Sequence, residues 1–324
     1  MKAYLMEKPG IENMKLVEMD EPEIGKGMVK VFPRLAGINP LDYKVIAGNV
    51  LYEVNPMPHI PGSEIFGEVA ENSGNFKKGE RVIVYNKIFD GVCKYCMEGR
   101  EYLCQSGGFY GVATNGGFAQ SIAVKEENLI RVPDSVDDNL AASLPIAAIT
   151  PYHALKEVNA GAGKSMIVYG ASGNTGAFAI QLGKIMGMRV FAVSSKDSLA
   201  SLGAEKTFRI ENIPPDLKAD IIINSLGGDI FSKSIEHLDK RGSLVTFGIM
   251  KGREANLDIG KIYTNELKIV GSTGGSRLDM MELMELASYN KLKVTIDKTF
   301  PFEDLNKALK YFEGDRNGRV LLKF

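Results

Sequence analysis

The sequence predicts an α/β protein in two parts, a compact and mostly β part and a parallel sheet covered by helices. From Met166 to Val270, short apolar runs alternate with helical stretches, the rhythm of repeated βαβ units and hence of a parallel sheet. The first 145 residues instead carry short β-branched runs between turn residues, as in Met28-Val-Lys-Val-Phe32 and Arg81-Val-Ile-Val-Tyr85. The length of 324 residues agrees, since a domain takes roughly 150.

Turns in the first part are marked at Gly25, Pro33, Gly37, Gly62, Gly74 and Gly79. From Asp138 to Ala160 the apolar spacing becomes helical (Leu140, Ala141, Leu144, Ile149, Leu155), with breaks expected at Pro145 and Pro151. Strands then follow at 166–169, 189–193, 220–224, 243–247 and 267–270. Helices are expected over 176–187, around 199–202 and over 231–238. The tail reads as helices over 278–289 and 302–312 and a closing strand over 319–323.

The segment Ser165-Met-Ile-Val-Tyr-Gly-Ala-Ser-Gly-Asn-Thr-Gly176 is a strand, a glycine-rich turn and a helix start. Gly173 and Gly176 take the second and third glycine positions of G-x-G-x-x-G, and Ala171 stands at the first. Such a turn brings backbone N–H groups to a pyrophosphate at the positive end of a helix, so Ser172, Gly173, Asn174, Thr175 and Gly176 are candidate cofactor contacts. The next strand ends in Val193-Ser-Ser-Lys196, with two hydroxyls and a cation where an acid would hold the 2′-hydroxyl of NAD. Ser194, Ser195 and Lys196 thus favour the 2′-phosphate of NADP(H); Asp197, if turned inward, would oppose it.

The chain's three cysteines fall within twelve residues, in Asp90-Gly-Val-Cys93-Lys-Tyr-Cys96 followed by Cys104. Three thiolates and one carboxylate at this spacing suit a tetrahedral Zn²⁺ whose ligands all come from protein, a structural site. A chain of this size has no need of disulfide staples.

With 39 basic and 40 acidic residues, the net charge of −1 offers nothing to neutralise phosphates, so nucleic acid is not an expected partner. No apolar run reaches the roughly 18 residues of a membrane span, and Glu7, Lys8 and Pro9 interrupt the N-terminus before a signal-peptide core forms. A soluble, cytoplasmic protein acting on a small molecule is expected.

Taken together these residues resemble the medium-chain dehydrogenase/reductase superfamily, which includes zinc alcohol dehydrogenases and quinone oxidoreductases. Further anchors are Ala36-Gly-Ile-Asn-Pro-Leu-Asp-Tyr-Lys44, Pro61-Gly-Ser-Glu-Ile-Phe-Gly-Glu-Val69 and the stretch from Ala141 to Leu155. The resemblance implies a GroES-like β catalytic domain, residues 1–149 and 272–324, interrupted by a Rossmann doubly wound parallel-sheet domain over 150–271 that binds NADP. It also places Thr150, Asn224, Phe247, Gly248 and Thr273 around the nicotinamide and its ribose, and implies a homo-oligomer, dimer or tetramer, through the edge strand near Leu267 to Val270.

The departures bear on the chemistry. Where zinc alcohol dehydrogenases hold a catalytic zinc, this chain has Asn39, Ser63 and Ile146, which supply neither thiolate nor imidazole. The wording is similar to the zinc-free quinone oxidoreductase and enoyl reductase branch. That implies hydride delivery from NADPH to an already electrophilic carbon, with Asn39, Ser63, Tyr43 and Tyr52 as candidates to bond or protonate the developing enolate. Two alternatives stay open at this point: a zinc-dependent alcohol dehydrogenase with other ligands, and an NADPH-binding module with little turnover.

Overall fold

The computed structural model describes residues 1 to 324 apart from Asp197, Asn290 and the side chain of Ser198. It divides into two compact units, one of Met1–Ile146 with Ser276–Phe324 and one of Ala147–Gly275.

The second unit is a six-stranded sheet, every neighbouring pair parallel. Its strands are Ser165–Tyr169, Arg189–Val193, Lys206–Phe208, Ala219–Asn224, Leu238–Thr246 and Lys268–Gly271. Numbered in that sequence they lie in the order 3-2-1-4-5-6. The order reverses between Ser165–Tyr169 and Ala219–Asn224, where Met166 stands beside Ile221. Helices covering the sheet explain why its central strands read as unbroken apolar runs; Ile167, Tyr169, Ile222 and Leu244 join one buried cluster.

Two features of this unit differ from the sequence reading. The third strand, Lys206–Phe208, is only three residues long and opens on Lys and Thr, too short to declare a period. Pro151 does not break a helix: it lies in the first turn of Ile149–Glu157, where its missing N–H costs no bond within the helix. Just ahead of that helix the chain widens into a π-helical turn over Leu144–Ala148, which contains Pro145.

The first unit is built on a seven-stranded sheet. The path runs Ile296–Pro301, Arg319–Lys323, Met28–Gly37, Glu64–Val69, Arg81–Val84 and Leu129–Arg131, and Ile122–Lys125 pairs with the start of Met28–Gly37. Pro33 is tolerated inside its strand because the register shifts between Pro33 and Leu35. One buried cluster under this sheet holds Val31, Ile65, Val69, Val82 and Val84; a second gathers Tyr4, Ile38, Phe118, Phe302, Leu309 and Leu322 from both ends of the chain. The closing strand thus pairs with a strand that began almost 300 residues earlier, Leu322 opposite Ala36.

Helix Pro40–Ala47 connects sheet to site. Pro40 opens it, where a fixed φ and a missing N–H fit best, and Asp42 Oδ2 accepts the Asn39 N–H at 2.9 Å. Among the described residues no helix is long and apolar enough to cross a membrane.

Candidate active site and metal lobe

In the second unit, the sequence-predicted cofactor residues collect at one end of the sheet. Ser172 to Gly176 follow Tyr169, Ser194 to Lys196 follow Val193, and Asn224 ends its strand; Phe247 and Gly248 follow Thr246, and Thr273 follows Gly271. These are the carboxyl ends of five parallel strands, the edge where open α/β sheets bind ligands at the reversal of strand order. Thr150 lies apart in sequence, in the first turn of Ile149–Glu157.

Helix Asn174–Ile185 begins on Gly173, and no side chain caps it. A Cβ on Gly176 would fall 2.3 Å from the Gly170 carbonyl oxygen, so the helix can pack against the turn only with glycine there. A backbone cradle at an uncapped helix N-terminus suits the pyrophosphate of a dinucleotide. At the next strand end, Ser194 Oγ accepts the Lys196 N–H at 2.9 Å, closing a tight turn around Ser195. Asp197 lies outside the described residues. Asn224 serves the loop itself: Oδ1 accepts from the Leu226 and Gly227 N–H groups, and Nδ2 donates to Ser234 Oγ.

In the first unit, Asn39 and Ser63 lie inside a buried polar cluster that pattern reading missed. Arg319, from the closing strand, pairs with Glu64, with side-chain exposures of 3% and 0%. Its Nη1 donates to Asn39 Oδ1 at 2.9 Å and its Nε to Ser143 Oγ at 3.3 Å. Asn39 Nδ2 donates to Glu64 Oε2 at 2.8 Å, and also to the Gly37 carbonyl at 3.3 Å. The second oxygen of Glu64 accepts the Ile146 N–H at 2.9 Å, from the π-helical turn. The Asn39 amide is therefore spent on holding protein groups, both of its donors and its acceptor.

Asp42 ties this cluster to helix Pro40–Ala47. Its Oδ1 accepts the Ser63 N–H at 2.8 Å while Oδ2 caps the helix. Burial pushes its carboxyl up to about 6, against the pull of those two amide donors. Ser63 Oγ is fully buried beside the Asp42 carboxyl, where it helps to hold the charged form without meeting full hydrogen-bond geometry.

The tyrosines part company. The Tyr43 hydroxyl donates to Glu313 Oε1, and that carboxylate bond raises its pKa. The Tyr52 ring is 46% exposed and leans on Phe109, the centroids 4.9 Å apart.

The four predicted metal ligands converge: ligand atoms of Asp90, Cys93, Cys96 and Cys104 all lie within 4.8 Å of one another. Cys93 Sγ stands 3.6 Å from Cys96 Sγ and 3.8 Å from Cys104 Sγ. A tetrahedral ion with bonds of about 2.3 Å to sulfur requires sulfurs roughly 3.8 Å apart, so the lobe is already spaced for zinc. Asp90 is preset as well, with Oδ1 accepting from the Val92 and Cys93 N–H groups at 2.9 Å and Oδ2 accepting from Ser106 Oγ at 3.0 Å. Backbone donors hold its carboxyl below the ordinary range, the charged state a metal needs. Among the described residues no other group of three or more His, Cys, Asp or Glu side chains is placed to hold a metal.

A 3-2-1-4-5-6 parallel sheet with a glycine cradle is the arrangement of dinucleotide-binding folds, carried here in one chain with a cysteine lobe and a β unit. Residues 25–134 match the alcohol dehydrogenase GroES-like domain and residues 175–289 the zinc-binding dehydrogenase domain. The chain is 31% identical to the NAD-dependent alcohol dehydrogenase of Sulfolobus acidocaldarius, over 100% of its own length and 99% of the relative's. It is 28% identical to the acryloyl-coenzyme A reductase of Metallosphaera sedula, over 99% of each. Among solved structures, a thermostable alcohol dehydrogenase from Pyrobaculum aerophilum superposes with a TM-score of 0.95 at 34% identity, covering 100% of this chain and 99% of that one. A second from that organism, with cobalt and zinc bound, gives 0.94 at 33%, again over 100% and 99%. The chain belongs to the medium-chain dehydrogenase/reductase superfamily.

Proposed function

We propose that this oxidoreductase uses NADPH to reduce activated C=C bonds or quinones (an enone, a quinone or an enoyl thioester) without a catalytic zinc, and that its cysteine lobe holds a structural zinc. One observation carries the reading: positions 39, 63 and 146 offer an amide, a hydroxyl and a hydrocarbon, and the amide is already committed to Arg319 and Glu64. No thiolate or imidazole stands there to make an open zinc site. The likeness to acryloyl-coenzyme A reductases of Metallosphaera sedula and Sulfurisphaera tokodaii supports enoyl-type chemistry. The likeness to alcohol dehydrogenases makes carbonyl reduction the rival.

In this reading NADPH, held by the glycine cradle and the 194–196 turn, would supply the hydride for the β-carbon when bound. Ser63 Oγ, buried beside the Asp42 carboxyl, donates a hydrogen bond to the enolate oxygen that develops. Asp42 positions it by holding the Ser63 N–H. Asn39 is a positioning residue, its amide fixed between Arg319 and Glu64, and the half-exposed Tyr52 is the candidate proton donor. Gly173 to Gly176 take the pyrophosphate, and Ser194, Ser195 and Lys196 the 2′-phosphate. Assembly as a dimer or tetramer would proceed through the edge strand Lys268–Gly271.

The test compares an α,β-unsaturated ketone with its saturated counterpart, using NADPH and NADH in turn. Turnover of the unsaturated compound alone, with NADPH preferred and with Lys196→Glu reversing that preference, is expected. Reduction of the saturated ketone to an alcohol at a comparable rate would overturn the reading in favour of an alcohol dehydrogenase.

A further inference from the structure

Lys87 is the least explained side chain of the first unit. It lies on the short strand Lys87–Ile88, opposite Phe109 of Gly108–Phe109. The residue is 3% exposed, and its Nζ is buried without any hydrogen-bond partner. Nor does it pair with a carboxylate among the described residues. The amine rests on the face of Phe109, with Nζ 3.7 Å from the ring centroid. Desolvation alone lowers its pKa to about 7, and no charged neighbour adds to the effect in either direction.

Packing does not account for this choice. A leucine or methionine would fill the same space without burying an amine that has nothing to bond. The strand does not need the side chain either: the Lys87 carbonyl already accepts from Asn128 Nδ2 at 2.6 Å. What the amine lacks is an anion. Phe109, against which it rests, carries Tyr52 on its ring, and Tyr52 is half-exposed and is the proton donor proposed above. The three side chains form one row from the interior to the surface.

We propose that Lys87 anchors an anionic subsite: the acceptor reduced by this enzyme carries a carboxylate, which pairs with the Lys87 ammonium beside the Phe109–Tyr52 ring pair. The inference rests on the reductase reading for what happens to that acceptor, but the subsite stands or falls by binding alone. A carboxylate fits better than a phosphate, because a single cation with no charged neighbour matches one negative charge.

The experiment uses the purified full chain and two non-reactive probes, 4-oxopentanoate and its methyl ester, titrated by calorimetry into the wild type, Lys87→Met and Lys87→Gln. The acid is expected to bind at least 10-fold more tightly than the ester to the wild type, and the two to bind alike in both variants. Lys87→Met is also expected to raise the unfolding midpoint, which shows that lost binding is not lost folding. Equal binding of acid and ester to the wild type, or a preference that survives in Lys87→Met, would overturn the subsite. Turnover of 4-oxopent-2-enoate and its methyl ester with NADPH separates the two proposals. Lysine-dependent binding of the acid without turnover of either unsaturated compound would sink the reductase reading and keep the subsite. Equally fast turnover of both would do the reverse.

Discussion

Arg319 and Glu64 stand 255 residues apart in sequence and meet as an ion pair almost wholly removed from solvent. Both are surrounded by further polar partners, Asn39, Ser143 and the Ile146 N–H, so neither charge is left bare. Burying two charges costs several kcal/mol each, and only such complete satisfaction offsets it.

Removing one partner should therefore strand the other charge, so the two losses should not add. Arg319→Met or Glu64→Gln alone is expected to lower stability by about 3–5 kcal/mol, and the double variant by less than the sum of the two. Gly37→Ala should resemble the single variants, because its Cβ would lie 2.2 Å from both Arg319 Nη2 and Glu64 Oε2. Urea unfolding of the set checks this; additive losses would show that the pair is not coupled.

Asp42 gives stability a pH signature. Its carboxyl titrates near 6 when folded and near 3.8 when not, so between those values the folded chain binds the proton more strongly. Its contribution is complete below the lower value and is lost as pH rises through about 6, a swing on the order of 3 kcal/mol. Asp42→Asn abolishes that titration. The stability of the wild type relative to Asp42→Asn should thus fall between pH 4 and pH 7 and stay level above it. A gap that does not move with pH would mean that the amide donors fully offset burial, and one that widens would mean that they outweigh it.

The cysteine lobe should contain one zinc per chain, with no second zinc in the purified protein. Chelation, or Cys93→Ser, is expected to lower the unfolding midpoint by roughly 5 °C, since a loss of about 2 kcal/mol shifts a domain of this size that far. Zinc returned to the chelated protein should release protons as the thiols become ligands. Metal analysis finding two zinc ions would point to a second ligand set and to the alcohol dehydrogenase rival.

Much of this architecture is written in short-range pattern. The βαβ rhythm after Met166, the glycines at 173 and 176 and the spacing of Asp90, Cys93, Cys96 and Cys104 are each local and survive translation into structure. Helix Pro40–Ala47 is also legible, since Asn39-Pro40-Leu41-Asp42 is a helix start. What stayed hidden depends on partners distant in sequence. Nothing near Arg319 announces Glu64, and nothing near Asn39 says that its amide is already committed. Lys87 follows Tyr85-Asn86 in a polar-looking stretch, and only the facing Phe109 reveals that its amine is buried.

The place of the closing strand also governs when the protein can finish folding. Arg319–Lys323 lies between Ile296–Pro301 and Met28–Gly37, so the first sheet stays split until that strand has been synthesised. The six-stranded unit is continuous in sequence and can condense while synthesis goes on, as domains generally do. The nascent first unit meanwhile holds Glu64 with no guanidinium to face. Its assembly is a late event set by translation, and the same arginine that completes the buried cluster belongs to the strand that closes the sheet.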